Sequence, residues 1–307
     1  MHPTVVYVHG NGNKVRKELL KAEWDKALFG NDMGAASRMA YWAGLRYATP
    51  LPDPEFDEAE LVQVSPLEGA GPTGVDPAEL FAQTLAEARA AGGVAPGLEA
   101  EIASDVDTGA LDGWLREMAY VADAVAEGED QAAAAPGLEV LPLPRPARVA
   151  IFRELVKLTF KDVYAYFFGG FKDPMRNCLR AELAGITGPL VVVSHSLGTI
   201  IAYDVLREPQ QEAREIPLFV TAGSPLGVQE VQDLVVHSLR VPGGVSVWRN
   251  VADGRDLVAL DRTIRPEYTP EERCTDFLVV NGSPNHHGIR EYLSCPPLHD
   301  AVAALFA

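Results

Sequence analysis

Leu190-Val-Val-Val-Ser194-His195-Ser196-Leu197-Gly198-Thr199-Ile200-Ile201 is the stretch whose reading decides the fold. Its opening residues, 190–193, are apolar and mostly β-branched, and read as a strand buried on both faces. The pentapeptide 194–198 follows as a tight turn. Ile200, Ile201, Val205 and Leu206 then recur at helical spacing. A strand that turns this sharply into a helix pushes the side chain at the tip clear of the backbone. Strand and helix pass close together there, so the residues two before and two after the tip must be small. Ser194 and Gly198 meet that condition. The Ser196 hydroxyl is then exposed, and the N–H of Leu197 points at the same space.

Outward from this turn, strands and helices alternate. Residues 4–8 form a short apolar strand that ends in His9-Gly10-Asn11-Gly12-Asn13, a loop of unusual backbone angles. Residues 14–29 read as a helix with Leu19, Leu20, Trp24, Ala27 and Leu28 on one side, and 38–45 as a second strand. Residues 148–168 carry two helical stripes: Phe152, Leu155, Val156, Thr159 and Val163 in one, Phe160, Tyr164 and Phe168 in the other. A short helix at 176–183 leads to the central strand. Strands follow at 217–222, 245–251 and 276–280, and a helix closes the chain at 297–306. This alternation predicts an α/β fold, a mainly parallel sheet of about six strands flanked by helices, with right-handed crossovers.

Between the strand at 4–8 and the turn lie roughly 180 residues, where about two βα units of some 30 residues each would suffice. The excess is an insertion. Residues 49–146 are rich in Pro, Gly, Ala and acidic side chains, with helical patterns at 77–91 and 112–127 and linker-like ends. The expectation is one domain over 1–307 carrying a partly flexible insertion at 49–146.

The chain has 307 residues, 47% of them hydrophobic, enough for a sizeable core. Its 43 acidic against 26 basic residues give a formal net charge of −17, which repels phosphate backbones and anionic lipid heads. Nucleic acid is therefore not an expected partner. No apolar run is long enough for a membrane span, and the first residues carry no signal-peptide pattern. Three cysteines, Cys178, Cys274 and Cys295, are an odd number without metal-ligand spacing, which fits a reduced, cytoplasmic protein. Gly10-x-Gly12 lacks the third glycine of a dinucleotide fingerprint, and no Walker loop or His-Glu-x-x-His is present.

The strand, the pentapeptide Ser194-His195-Ser196-Leu197-Gly198 and the helix together resemble the nucleophile elbow of the α/β-hydrolases, lipase- and esterase-like members in particular. The usual pattern is Gly-x-Ser-x-Gly; here serine replaces the first glycine, which removes a freely permitted positive φ. The resemblance implies an α/β-hydrolase fold whose insertion serves as a cap or lid over the active site. It also implies that two strands usual in the family before residue 4 are absent.

The resemblance makes Ser196 the nucleophile, and a serine hydroxyl needs a base and an acid that orients the base. In this fold they follow the serine in the order acid, then histidine. Asn250-Val-Ala-Asp253-Gly-Arg-Asp256-Leu-Val258 resembles the family's Asn-x-x-Asp-x-Val acid loop, with Asp256 in the acid's place. Asp253, before Gly254, suits a turn, and Asp261 is the outsider. Asn285-His286-His287-Gly288, followed by Tyr292-Leu293, resembles the family's histidine loop. His287 is favoured as base and His286 is the alternative. His195 is expected to pack beside these groups, while His2, His237 and His299 are poorly placed. The oxyanion donors would be the N–H of Leu197 and that of Asn11, with Gly10 as alternative, while Gly12 and Asn13 shape the loop. The implied activity is cleavage of a small-molecule carboxylic ester through an acyl-enzyme, with no cofactor and no metal. The same residues serve thioesterases, amidases, peptidases and acyltransferases, and a non-catalytic binding protein on this fold is a further alternative. The aromatic segment at 148–171 would line an apolar acyl site.

Overall fold

Val5 and Tyr7 point to one side of their strand and Val6 and Val8 to the other, and all four are fully buried. A strand apolar on both faces must lie inside a sheet covered twice. The computed structural model describes residues 2–53, 153, 156, 160–256, 258–259, 261–283 and 286–306. Within them the strands are β1 (Thr4–Val8), β2 (Ser37–Ala40), β3 (Leu190–His195), β4 (Ile216–Ala222), β5 (Val245–Asp253) and β6 (Cys274–Val279). They form one six-stranded sheet, ordered β2-β1-β3-β4-β5-β6, with every pair parallel.

Helices cover both faces. The principal ones are α1 (Lys17–Phe29), α2 (Lys161–Phe167), α3 (Lys172–Leu183), α4 (Leu197–Leu206), α5 (Ile289–Ser294) and α6 (Pro296–Ala303). On one side Val6, Val8 and Val192 pack with Met175, Leu179 and Leu183 of α3 and Ile200 and Ile201 of α4. On the other, Val5, Tyr7, Val191 and Val193 meet Leu20, Trp24 and Leu28 of α1 and Tyr292 and Leu298 from α5 and α6. All ten residues of α4 are buried. Its one acid, Asp204, is satisfied by the Tyr166 hydroxyl at 2.8 Å, the Val236 N–H at 2.9 Å and the Lys172 ammonium at 3.0 Å.

From β1 the chain moves outward to β2, then returns past β1 to β3 and continues the other way. The strand order therefore reverses between β1 and β3. In open parallel sheets the crevice at that point, outside the carboxyl ends of the strands, is where ligands bind. The loop after β1 and the turn after β3 both open there.

Three local expectations shift. Helix α1 begins at Lys17 rather than residue 14, because the Arg16 backbone is extended (φ −53°, ψ 149°) and caps it. The second strand stops at Ala40, and a 3-10 turn over Ala43–Leu45 replaces its second half. The N–H groups of Trp42 and Ala43 there serve His9 Nε2 instead of a neighbouring strand. The stripe through Phe160 is broken, since Phe160 has φ −127° and ψ 71° and α2 starts after it. Asp162, Ala165 and Tyr166 are the buried side of that helix. The expected cap, residue 54 onward with the helices at 77–91 and 112–127, lies outside the described residues. Among the described residues no helix is long and apolar enough to cross a membrane, and Cys178, Cys274 and Cys295 are free thiols.

A β-carbon on Gly198 would sit 2.3 Å from the Val8 carbonyl oxygen and 2.6 Å from that of His9. Both are backbone atoms that cannot rotate away. Gly198→Ala is expected to lower stability by about 1–3 kcal/mol, read as an earlier midpoint in urea unfolding; an unchanged midpoint would contradict this close approach.

Candidate active site

Ser196 has φ 52° and ψ −130°, a backbone state that a serine adopts only under constraint. The constraint is visible on both sides. Its N–H donates to the Ala222 carbonyl at the end of β4 (3.0 Å). Its carbonyl accepts from the Thr199 N–H at 2.9 Å and from the Thr199 hydroxyl at 2.7 Å. The Ser224 hydroxyl in turn lies 2.8 Å from that of Thr199. Ser194 is buried within β3 and donates its hydroxyl to the Val220 carbonyl at 2.8 Å. It is not among the residues of positive φ. Serine in place of glycine two residues before Ser196 therefore imposes no backbone strain, because the left-handed residue of this turn is Ser196 itself.

The loop after β1 is pressed onto this turn. A β-carbon on Gly10 would meet Ser196 Cβ at 2.7 Å and His195 Nδ1 at 2.9 Å. His9 is fully buried and stacks on Trp42, ring centroids 4.5 Å apart. Its Nε2 accepts the N–H groups of Trp42 (3.1 Å) and Ala43 (3.3 Å), so Nδ1 carries the hydrogen and donates to the Gly10 carbonyl at 2.9 Å. Burial, reinforced by nearby Lys14, holds its pKa down at about 3, so the ring is neutral. In a trans peptide C=O and N–H point opposite ways. With the Gly10 oxygen turned to His9, the Asn11 N–H faces away from it. Among the described residues neither that N–H nor the Leu197 N–H has a hydrogen-bond acceptor.

Asp256 follows β5 and is 1% exposed. Its Oδ1 accepts the N–H groups of Val258 (2.9 Å) and Ala259 (3.2 Å). Its Oδ2 accepts Nδ1–H of His287 at 2.7 Å and the Tyr292 hydroxyl at 2.5 Å. Four donors thus fill the carboxylate, and with Nδ1 given to Asp256 the other ring nitrogen of His287, Nε2, is the one turned away from it. Gly223 (φ +53°) runs directly beneath: a β-carbon there would lie 2.7 Å from the His287 ring and 2.8 Å from Asp256 Oδ2. The Ser196 N–H is held by the residue immediately before Gly223, so Ser196 and the His287–Asp256 pair flank the same end of β4.

The competing residues are engaged elsewhere. Asp253 accepts the Arg255 N–H at 2.7 Å and also the Asn281 N–H, tying two loops together. Asp261 is exposed and, among the described residues, accepts from Thr263, at 3.0 Å. His286 (φ 54°) turns its ring onto its own loop, with Nδ1 2.9 Å from the Asn281 carbonyl.

Two neighbours carry contacts that sequence reasoning did not assign. His195 Nε2 donates to the His287 carbonyl at 2.9 Å, and the two rings lie 4.4 Å apart. Burial and the adjacent His287 hold the His195 pKa well below the usual histidine value. Tyr292 accepts the Asp253 N–H at 2.9 Å while donating to Asp256. Its pKa is raised, first by burial and then by the Asp256 charge, so it stays a donor. The Tyr-Leu pair after the histidine loop was the only sequence signal for Tyr292. No known protein-family model matches this chain, and no curated protein matches it. The site stands on its geometry.

Tyr292→Phe removes one donor from Asp256 and strands the buried Asp253 N–H. It is expected to cost about 1–3 kcal/mol of stability, measured by chemical denaturation. A variant as stable as the parent would rule out this role for the hydroxyl.

Proposed function

We propose that the chain is a serine hydrolase with an α/β-hydrolase fold, cleaving carboxylic esters through an acyl-enzyme on Ser196. The observation that carries this reading is the Asp256–His287 pair, 2.7 Å apart, lying on the same glycine that follows the Ser196 anchor. In this reading the Ser196 hydroxyl attacks the acyl carbonyl and passes its proton to His287 Nε2. Asp256 holds the ring in the Nδ1–H tautomer and stabilises the imidazolium that forms. The tetrahedral oxyanion takes the N–H groups of Leu197 and Asn11, each worth about 3 kcal/mol of barrier. His287 then returns its proton to the leaving alcohol. A water, deprotonated by the same nitrogen, releases the acid and restores Ser196.

His195 supports this assignment of the base. Two cationic imidazoles 4.4 Å apart would repel. With His195 kept neutral by burial, His287 can accept the proton without a charged neighbour. The acyl chain would lie along α2, whose Asp162 bonds the Gly12 N–H at 2.9 Å and so sets that helix beside the oxyanion loop. Phe160, Tyr164, Phe167, Phe168 and Phe171 are partly buried around it, which favours a medium or long acyl chain. Thioesters, amides and acyl transfer would use the same groups, and esters of graded acyl length set against thioester and amide analogues separate them.

A fluorophosphonate probe is expected to label the wild type and not Ser196→Ala; folded wild type that resists labelling would favour a binding role on this fold. With a p-nitrophenyl ester, His287→Ala should lose at least about 10⁴-fold in turnover. His286→Ala should keep most of it, and the opposite pattern would make His286 the base.

A further inference from the structure

Lys14 lies at the floor of the loop after β1, and nothing in the proposed chemistry uses it. Its ammonium donates to the carbonyl of Asn11, to that of Gly12 at 3.1 Å and to that of Asn13 at 3.3 Å. Three consecutive carbonyls therefore face one cation. Opposite them stands Asp162 of α2, which is 1% exposed. Its Oδ2 accepts the Gly12 N–H at 2.9 Å and the Tyr47 hydroxyl at 2.9 Å, and its Oδ1 accepts Arg46 Nε at 3.1 Å. The peptide joining Asn11 to Gly12 is thus gripped at both ends, its oxygen by Lys14 and its N–H by Asp162. The preceding peptide is held at its oxygen by His9. The one N–H left in this pair of planes is that of Asn11.

We propose that Lys14 is the positioning residue of the oxyanion loop: its ammonium, acting against Asp162, locks the Asn11–Gly12 peptide so that the Asn11 N–H stays aimed at the oxyanion. This rests on the serine-hydrolase reading of the same site. A donor helps a transition state only if it is held in place before charge develops. The loop's glycines, Gly10 and Gly12, would otherwise let both planes rotate. The clamp has a pH dependence. Burial pulls the Lys14 pKa down to about 8, with the Asp162 carboxylate opposing. The other groups facing it do not titrate there. His9 and His195 are held neutral by burial and Tyr41 is raised above its usual value, while the Arg46 guanidinium lies behind Asp162, bonded to it at 3.1 Å. Below pH about 8 the ammonium is present; as pH rises through that value the charge leaves and the loop loses its clamp.

The test uses the full chain. Wild type should lose ester turnover as pH rises through about 8. Lys14→Met, measured at pH 7, should lose on the order of 100-fold in kcat with KM changed only a few-fold. Exchange of amide hydrogens in the peptide spanning residues 9–16 should speed up in the same variant. Lys14→Arg, which still donates to carbonyls and does not deprotonate, should keep activity at pH 7 and lose the alkaline fall. That variant decides the matter if Lys14→Met does not fold. Wild-type kcat in Lys14→Met, or an unchanged alkaline fall in Lys14→Arg, overturns the inference while Ser196 labelling still upholds the hydrolase reading. Wild type that neither labels nor turns over any ester removes both.

Discussion

The end of β1 and the start of α4 approach each other backbone to backbone. Val8 and His9 carbonyls lie where a Gly198 side chain would begin, and the Gly10 backbone lies against Ser196 Cβ. This contact brings the strand-order reversal between β1 and β3 down to a narrow crevice. It holds Ser196 at its positive φ, because neither the strand behind nor the helix ahead can retreat. Packing of α4, buried on every side, resists any relaxation.

Around that contact three buried carboxylates are each met by several donors. Asp256 receives four donors, Asp162 three and Asp204 three. A buried carboxylate is tolerable only with such partners, and once it has them its position is rigid. Each acid therefore serves as a fixed post: Asp256 for the His287 ring, Asp162 for the loop after β1, Asp204 for α4 against α2 and α3. In the proposed mechanism the moving parts reduce to a proton and the substrate, which is what preorganised catalysis asks of a site.

The histidines divide by the same logic. His9 and His195 are driven neutral by burial and spend their nitrogens on backbone groups. His286 faces its own loop. His287 alone of these meets a carboxylate. Adjacent residues in the chain thus acquire unlike chemistry because successive side chains leave the backbone in different directions, and only one direction leads to Asp256.

The α/β class, the parallel sheet and the strand at 190–195 were legible locally, since a β-branched run followed by a 3.6-residue apolar period has few other readings. The Asp256–His287 pair was named only through the resemblance of two loops, because chain order does not measure the distance between them, and the fold then closed it. Lys14, Asp162 and Tyr292 were hidden for a related reason. A lysine before a helix, an acid within an aromatic segment and a tyrosine in a short helix look like ordinary solvated or packed residues until the fold sets them against one another. What the linear chain by itself determined was which segments become strands and helices and which serine stands at the turn, because those follow from local steric and apolar patterning. Which carboxylate meets which imidazole was decided only when the sheet brought the ends of β1, β3, β4 and β5 to one edge, where a buried acid such as Asp256 holds its place only with donors from several loops around it.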